Sequence, residues 1–350
     1  MMLKIIQTLI VGFCGGLIAK RLKLPAAFMT GSMLAVAIFS IFTKQMFMPG
    51  SVKIFAQIIS GAYIGQQISK ADLMNFPKLA KAIVLLLAFF TINMFLMGFF
   101  FHAVFSVDLT TALLSCMPGG IMDVSLISID MGAQAEIVAT MQLARLVGML
   151  LILPYWIKFI LKRVKKDQEN QSVQLNKPKI LPIGTKNALM NDSLILVIAG
   201  LGGLLGVWLG IPVGALMLSL GFSSILKLLK NTAQLNRNIR FLAQICAGSI
   251  IGNTFTQDTL AQLPRLIVPA ILLLSSYLVI NVLFGYIVYK QQILDLKSAL
   301  FASSPAGATD ISLIAGELGG DTPKIAGIQI CRTLYTIIVL PNLVRWFIQR

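Results

Sequence analysis

The sequence predicts an all-α, polytopic membrane protein built from two homologous six-segment repeats, inverted relative to one another, with discontinuous helices over 115–131 and 302–318. Three observations carry that expectation. The chain of 350 residues is 57% hydrophobic and only 12% charged, with a mean hydropathy of +0.85, far too apolar for the surface of a soluble domain of this size. Its two halves match without a gap at an offset of 187, the distance from Pro118 to Pro305. Equivalent loops of the halves carry opposite bias in Lys and Arg.

The elements follow from the hydropathy pattern. In the first repeat (1–161) apolar segments fall near 3–19, 25–43, 53–68, 79–105, 110–131 and 137–161. In the second (188–350) they fall near 190–206, 212–229, 240–255, 266–289, 297–316 and 324–348. Runs such as "AIVLLLAFFTINMFLMGFFF" (82–101) do not alternate, which excludes a β-barrel; helices satisfy their own backbone groups in lipid. The N-terminal stretch is read as a retained helix and not a cleaved leader, because another apolar segment follows at once and its half recurs later. The segment 162–187 is a polar, basic linker.

Six stretches hold the register of 187. "CGGLIAKRLKLP" (14–25) matches "LGGLLGVWLGIP" (201–212), "QIISGAYIGQQI" (57–68) matches "QICAGSIIGNTF" (244–255), and "MPGGIMDVSLISIDMG" (117–132) matches "SPAGATDISLIAGELGG" (304–320). Pro77 pairs with Pro264, Gln142 with Gln329 together with Arg145 with Arg332, and Pro154 with Pro341. That is an internal duplication. Lys20, Arg21 and Lys23 follow the first segment, whereas the equivalent "VWLG" (207–210) has no charge; the next loop reverses the bias, with Lys44 and Lys53 against Lys227, Lys230, Arg237 and Arg240. Positive loops stay cytoplasmic, so the copies should face opposite sides. Inversion needs an odd number of crossings per repeat, which makes one of the six segments re-entrant.

The net charge of +16 arises in loops, so it reports membrane topology and not nucleic-acid binding. Cys14, Cys116, Cys246 and Cys331 lie scattered in apolar segments, and His102 is the only histidine. Neither offers metal-ligand spacing, so no metal and no cofactor is expected. No G-x-x-x-x-G-K-[ST] motif occurs, so the chain is not expected to hydrolyse ATP.

The chemistry concentrates at the two helix breaks. Pro118, Gly119 and Gly120 in one repeat, and Pro305 and Gly307 in the other, should interrupt a helix where backbone is buried in protein or lines a cavity. Asp123 and Asp310 follow each break, with Ser125 and Ser312 two residues on. A carboxylate at membrane depth is costly unless paired, solvated or protonated. These aspartates either cap the restarting helix or bind a coupling proton or sodium ion, and the sequence leaves both open. Arg145 and Arg332, each three residues after Gln142 and Gln329 on one helix face, lie deep in the last segment of each repeat. They either brace the fold, with Asp123 and Asp310 as partners, or meet an anionic solute. Gly61/Gly65 and Gly248/Gly252 are spaced for close helix packing. Glu136, Asp130, Glu317 and Asp321 are expected in water near segment ends.

The duplicated "GGLIAKRLKLP…GSML", "QIISGAYIGQQI" and "PGGIMDVSLIS…QLAR" resemble the AbrB-type bacterial membrane protein family over essentially the whole chain. That family is distinct from the soluble DNA-binding regulator of the same name, and has carried the labels of gene regulator and ammonia monooxygenase. The second label fits poorly, since such chemistry needs a redox metal held by several His or carboxylates. The segment order is also similar to that of the cation–proton antiporter and bile-acid symporter group, whose inverted repeats carry crossed discontinuous helices; this is architectural analogy. The resulting expectation is a multi-pass secondary transporter of the bacterial inner membrane. Its partners would be the bilayer and a small polar or ionic solute, with proton or sodium coupling, no enzymatic activity and no nucleic acid; self-association is left open. The alternative is a non-transporting regulator or sensor affecting gene expression.

Overall fold

The computed structural model describes residues 2–24, 26–43, 46–68, 70–164, 188–211, 213–257, 261, 263–305, 311, 315 and 320–349. Among them there is no strand. The first repeat contains α1 (Met2–Arg21), α2 (Ala27–Thr43), α3 (Gly50–Gly65), α4 (Lys70–Phe105), α5 (Leu109–Ser115), α6 (Ile121–Asp130) and α7 (Ala135–Val164). The second contains α8 (Ala188–Trp208), α9 (Gly214–Lys230), α10 (Arg237–Thr254), α11 (Ile267–Lys290), α12 (Leu296–Ala302), α13 (Thr322–Ile338) and α14 (Leu340–Ile348). At the offset of 187, α2 and α9 coincide end to end, as do α5 and α12. Helix α7 runs to Val164, and 165–187, the rest of the linker, lies outside the described residues.

Among the described residues six helical stretches are long and apolar enough to cross a membrane: α1, α4, α7, α8, α11 and the α13–α14 pair. Four shorter ones, α2, α3, α9 and α10, have 16–18 residues, about 24–27 Å each. They form the centre, where α2 packs on α10 and α3 on α9.

Glycines set that centre. A Cβ on Gly61 would stand 2.6 Å from the Leu216 carbonyl oxygen, and one on Gly65 2.6 Å from that of Leu220. In the other repeat, Gly248 and Gly252 meet the carbonyls of Met29 and Met33 at 2.5 Å. The two contacts are the same contact under the 187 offset, so a pseudo-two-fold axis relates the repeats. Gly61→Leu or Gly248→Leu should therefore separate the central pairs. The expected result is loss of at least about 1–3 kcal/mol from overpacking, read as a lower melting temperature in detergent, whereas Gly50→Leu, in open space, should leave it unchanged.

The same contacts give helix directions. Lys20 stacks on Phe28, so α1 and α2 are antiparallel. Advancing from Gly248 to Gly252 advances α2 from Met29 to Met33, so α10 runs parallel to α2. Arg240, early in α10, lies over Tyr63, late in α3, at 4.4 Å, so α3 opposes both. Helix α3 and its equivalent α10 therefore run in opposite directions, and the repeats are inverted.

The break is a turn-back and not a kink. The Gln134 backbone N–H donates to Thr111 Oγ1 at 3.1 Å, and Gln142 reaches the Leu114 carbonyl at 3.1 Å, so α7 rises alongside α5 from the same end. Between them α6 returns antiparallel to α3, with Asp123 at Ser60 and Asp130 at Gln57. Helices α5 and α6 thus form a re-entrant hairpin, leaving five crossings in the first repeat: α1, α2, α3, α4 and α7. The discontinuity expected over 115–131 is present, and it makes the fifth segment the re-entrant one that inversion requires. Seven and ten residues, about 10 and 15 Å, are too short to span the ~30 Å of a bilayer core. In the second repeat α12 enters in the same manner, its N-cap Asp295 matching Asp108 of α5. Residues 306–310, 312–314 and 316–319 lie outside the described set.

Candidate functional site

Each hairpin tip is held by the helix that follows it. The Gln142 amide donates to the carbonyls of Leu114, Ser115 and Met117 at 3.1, 3.3 and 3.0 Å. Arg145 donates to the Met117 carbonyl at 2.7 Å and to that of Gly119. In the second repeat Gln329 reaches Phe301, Ala302 and Ser304 at 3.3, 2.9 and 3.0 Å, and Arg332 reaches Ser304 at 2.7 Å. A broken helix leaves its last carbonyls without intrahelical donors; these side chains supply them, and the cationic heads of the two arginines suit the negative end of the helix dipole. Arg145 and Arg332 each sit ten residues into their helices, about 15 Å along the axis and so near half the depth of a bilayer core.

The opposite repeat supports the first tip as well. Tyr277 of α11 donates to the Cys116 carbonyl at 2.7 Å, and Thr336 of α13 to the Pro118 carbonyl at 3.2 Å. Asn281 donates to Leu300 O at 2.6 Å and to Ser303 Oγ at 2.8 Å below the second tip.

Among the described residues Arg145 is not partnered by a carboxylate as the sequence suggested. Among the described residues no ion pair joins Arg145 to Asp123. Asp123, 9% exposed, instead accepts a short hydrogen bond from Ser60 of α3. Nor does Asp123 cap α6: the N-cap is Gly120, and no side-chain cap bond is made there. Asp130, expected in water, pairs with Lys53 at 2.5 Å and accepts from Gln57 Nε2 at 2.5 Å. Asp310, Gly307 and Ser312 lie outside the described residues.

These elements enclose a cavity of about 130 Å³. Of the sequence-predicted residues Gly119, Gly120, Asp123, Arg145 and Arg332 line it; Pro118, Ser125, Gln142, Gln329 and Pro305 do not, although all five are buried behind it. Sequence reading missed Ser60, Tyr63, Gln67, Arg240 and Thr333, and placed Gln244 only on a packing face; all six line the cavity. Ser60 follows the "Q-I" motif at 57 and Gln244 opens its match in the other repeat, and that pairing was the available signal.

The cavity has an open end and a closed end. Ala26, Gln67 and Arg240, at the end where α1 finishes, are partly exposed. At the other end the Lys53–Asp130–Gln57 cluster ties the start of α3 to the end of α6. Asp130→Asn removes the ion pair while keeping an acceptor for Gln57. A cysteine placed at Thr333 should then react with membrane-impermeant thiol reagents from both ends of the protein, where the parent reacts from one. Because the pair is largely buried, 22% and 14% exposed, stability should also fall, by more than the ~1 kcal/mol typical of a surface pair.

The architecture is that of a multi-pass helical membrane protein made of two inverted repeats, the first carrying a re-entrant hairpin whose tip borders a central polar cavity. The family model described as transition state regulatory protein AbrB matches residues 1–161 and again 165–348, and the chain belongs to that family. The chain is also similar to the Escherichia coli (strain K12) protein named "Putative regulator AbrB", 22% identical over 324 residues, 92% of this chain and 90% of that one.

Proposed function

We propose that the chain is a secondary transporter of the bacterial inner membrane, moving a small polar or ionic solute by alternating access, and is not an enzyme. The observation that carries this is the cavity itself. It is lined by the tip of the first repeat's hairpin together with Arg332 and Thr333 of the second repeat, its partly exposed lining lies at one end, and at the other end the ion pair of Lys53 and Asp130 ties α3 to α6. Inverted repeats give a carrier two mirror-related states, each opening the same central site to one side. Asp123, buried beside the cavity, is the candidate carrier of a coupling proton or sodium ion, since a carboxylate there exchanges its charge with either.

Orientation follows from charge. Lys20, Arg21, Lys162, Arg163, Lys227, Lys230 and Arg237 all fall at the end where the cavity opens, which the positive-inside rule makes cytoplasmic. Cysteines placed singly in 20–23 and 207–210 should label from opposite sides; labelling of both from one side excludes this orientation.

The deciding experiment is solute uptake into proteoliposomes under imposed proton and sodium gradients. Gradient-driven uptake supports the carrier. The E. coli relative is named a regulator, and that name favours a second reading, control of gene expression without transport. Deletion that alters transcription, with no solute flux in vesicles, would select it.

A further inference from the structure

We propose that the central cavity binds a small zwitterion, an amino-acid-like solute whose ammonium group meets Asp123 and whose carboxylate meets Arg145. As a statement about a transported substrate this rests on the carrier reading; as a statement about binding it rests on the cavity alone.

The two side chains flank one short piece of backbone at the hairpin tip. Arg145 donates to the Gly119 carbonyl, and Oδ2 of Asp123 stands 2.8 Å from where a Cβ on Gly120 would be. Both line the cavity, yet among the described residues no ion pair joins them. Each keeps bonding capacity in reserve. Asp123 accepts from Ser60 through Oδ1, and among the described residues its Oδ2 accepts from no donor. A guanidinium carries five N–H donors. Those of Arg145 that reach the Met117 and Gly119 carbonyls orient the charge without neutralising it, and its Nε has no hydrogen-bond partner among the described residues. Arg145 is 2% exposed and Asp123 9%, so two opposite charges border one small space, both largely out of water and neither holding the other. Charges left in that condition are costly, and a solute that completes both relieves the cost.

The signs of these charges select the class of solute. A simple anion gains from Arg145 and is repelled by Asp123. A simple cation gains from Asp123 and is repelled by Arg145, and again at the mouth by Arg240, fixed over the Tyr63 ring at 4.4 Å. An uncharged solute leaves both charges without a counter-charge. A zwitterion is attracted at both ends, and specificity comes from what a site repels as much as from what it holds. Chemistry agrees with charge: an ammonium donates to the open carboxylate oxygen, and a carboxylate matches the planar fork of a guanidinium. Gln244 and Thr333, also in the lining, add an amide and a hydroxyl for the remaining polar atoms. The space, about 130 Å³, exceeds by several-fold the ~10–15 Å³ that a single water requires. Because an ammonium and a coupling ion would use the same carboxylate, the two bind in turn.

The test uses full-length protein in detergent and follows its melting temperature against solute concentration. The probes are the standard α-amino acids with β-alanine and γ-aminobutyrate, which vary the side chain and the spacing of the two charges. Each probe that binds is compared, at equal ionic strength, with its two halves: the acid lacking the ammonium and the amine lacking the carboxylate, as propionate and ethylamine are for alanine. At least one zwitterion should stabilise the protein in a saturable way. Either half should bind at least about tenfold more weakly, the loss expected when a charge-assisted contact is missing. Asp123→Asn should weaken the zwitterion by a similar factor and narrow or reverse its advantage over the deaminated acid, a change of selectivity that a merely structural role would not produce. If Asp123→Asn does not fold, Gly120→Ala, whose Cβ would crowd the same carboxylate, should show the same change. Stabilisation by no zwitterion, or a half that binds as tightly as the whole, overturns the proposal. Zwitterion binding without uptake in vesicles leaves the site standing and removes the carrier reading instead. Gradient-driven uptake of a singly charged solute, with no zwitterion bound, does the reverse.

Discussion

Arg145→Ala should lower the melting temperature more than any single change on the surface, and Arg332→Ala should do nearly the same. Each arginine closes the end of a short helix by donating to carbonyls of the turn. Losing it strands those oxygens where water is scarce. Bonds to charged groups contribute about 1.5–3 kcal/mol each, and breaking a buried charged contact commonly costs about 3–5 kcal/mol. Arg145→Lys should recover only part of the loss, because a point-like ammonium does not span the Met117 and Gly119 oxygens as a fork does. Differential scanning fluorimetry in detergent reads this directly. A near-normal melting temperature in Arg145→Ala would show that the turn is held by Gln142, Tyr277 and Thr336 alone. In that case the role of the arginine would belong wholly to the solute.

Asp123→Asn should leave the fold intact and abolish gradient-driven uptake. The amide oxygen can still accept the hydroxyl of Ser60, so the tie between α3 and the hairpin persists and the melting temperature should move little. What disappears is the group proposed to take up a proton or a sodium ion. Asp123→Ala removes the tie as well and should cost a further ~1–3 kcal/mol by leaving Ser60 unsatisfied. Ser60→Ala separates the two effects: it weakens the tie while keeping the charge, so stability should fall with the ion dependence retained. Uptake that stays ion-dependent in the Asp123→Asn, Asp310→Asn double mutant rules out a coupling role for both residues.

Much of this was legible in the chain. Hydropathy marks the helices, because burying apolar side chains in lipid leaves a long unbroken run. The ungapped repeat marks the two-fold relation, because duplication copies spacing along with residues. Loop charges give inversion, because lysine and arginine resist translocation. The prolines and glycines at 118–120 mark the break, and Gln142 and Arg145 announce themselves as polar groups in an apolar helix. Their partners were misjudged. An arginine at membrane depth suggested a carboxylate, yet the exposed end of a seven-residue helix presents several carbonyls at once, and they are nearer.

Taken by itself, the sequence determined which segments are helical, that they come in two copies, that the copies are opposed, and which few residues carry chemistry; all of these are local or periodic properties. Only the tertiary structure decided that the break reverses the chain instead of bending it. That choice depends on Thr111 meeting Gln134 and on Ser60 meeting Asp123, contacts between segments distant in sequence that no window of hydropathy contains. It likewise decided that Arg240, which reads as one more basic residue at a helix start, turns inward onto Tyr63. The central glycines seat α3 on α9 and α10 on α2, and in that packing the Tyr63 ring of α3 meets the Arg240 cation of α10.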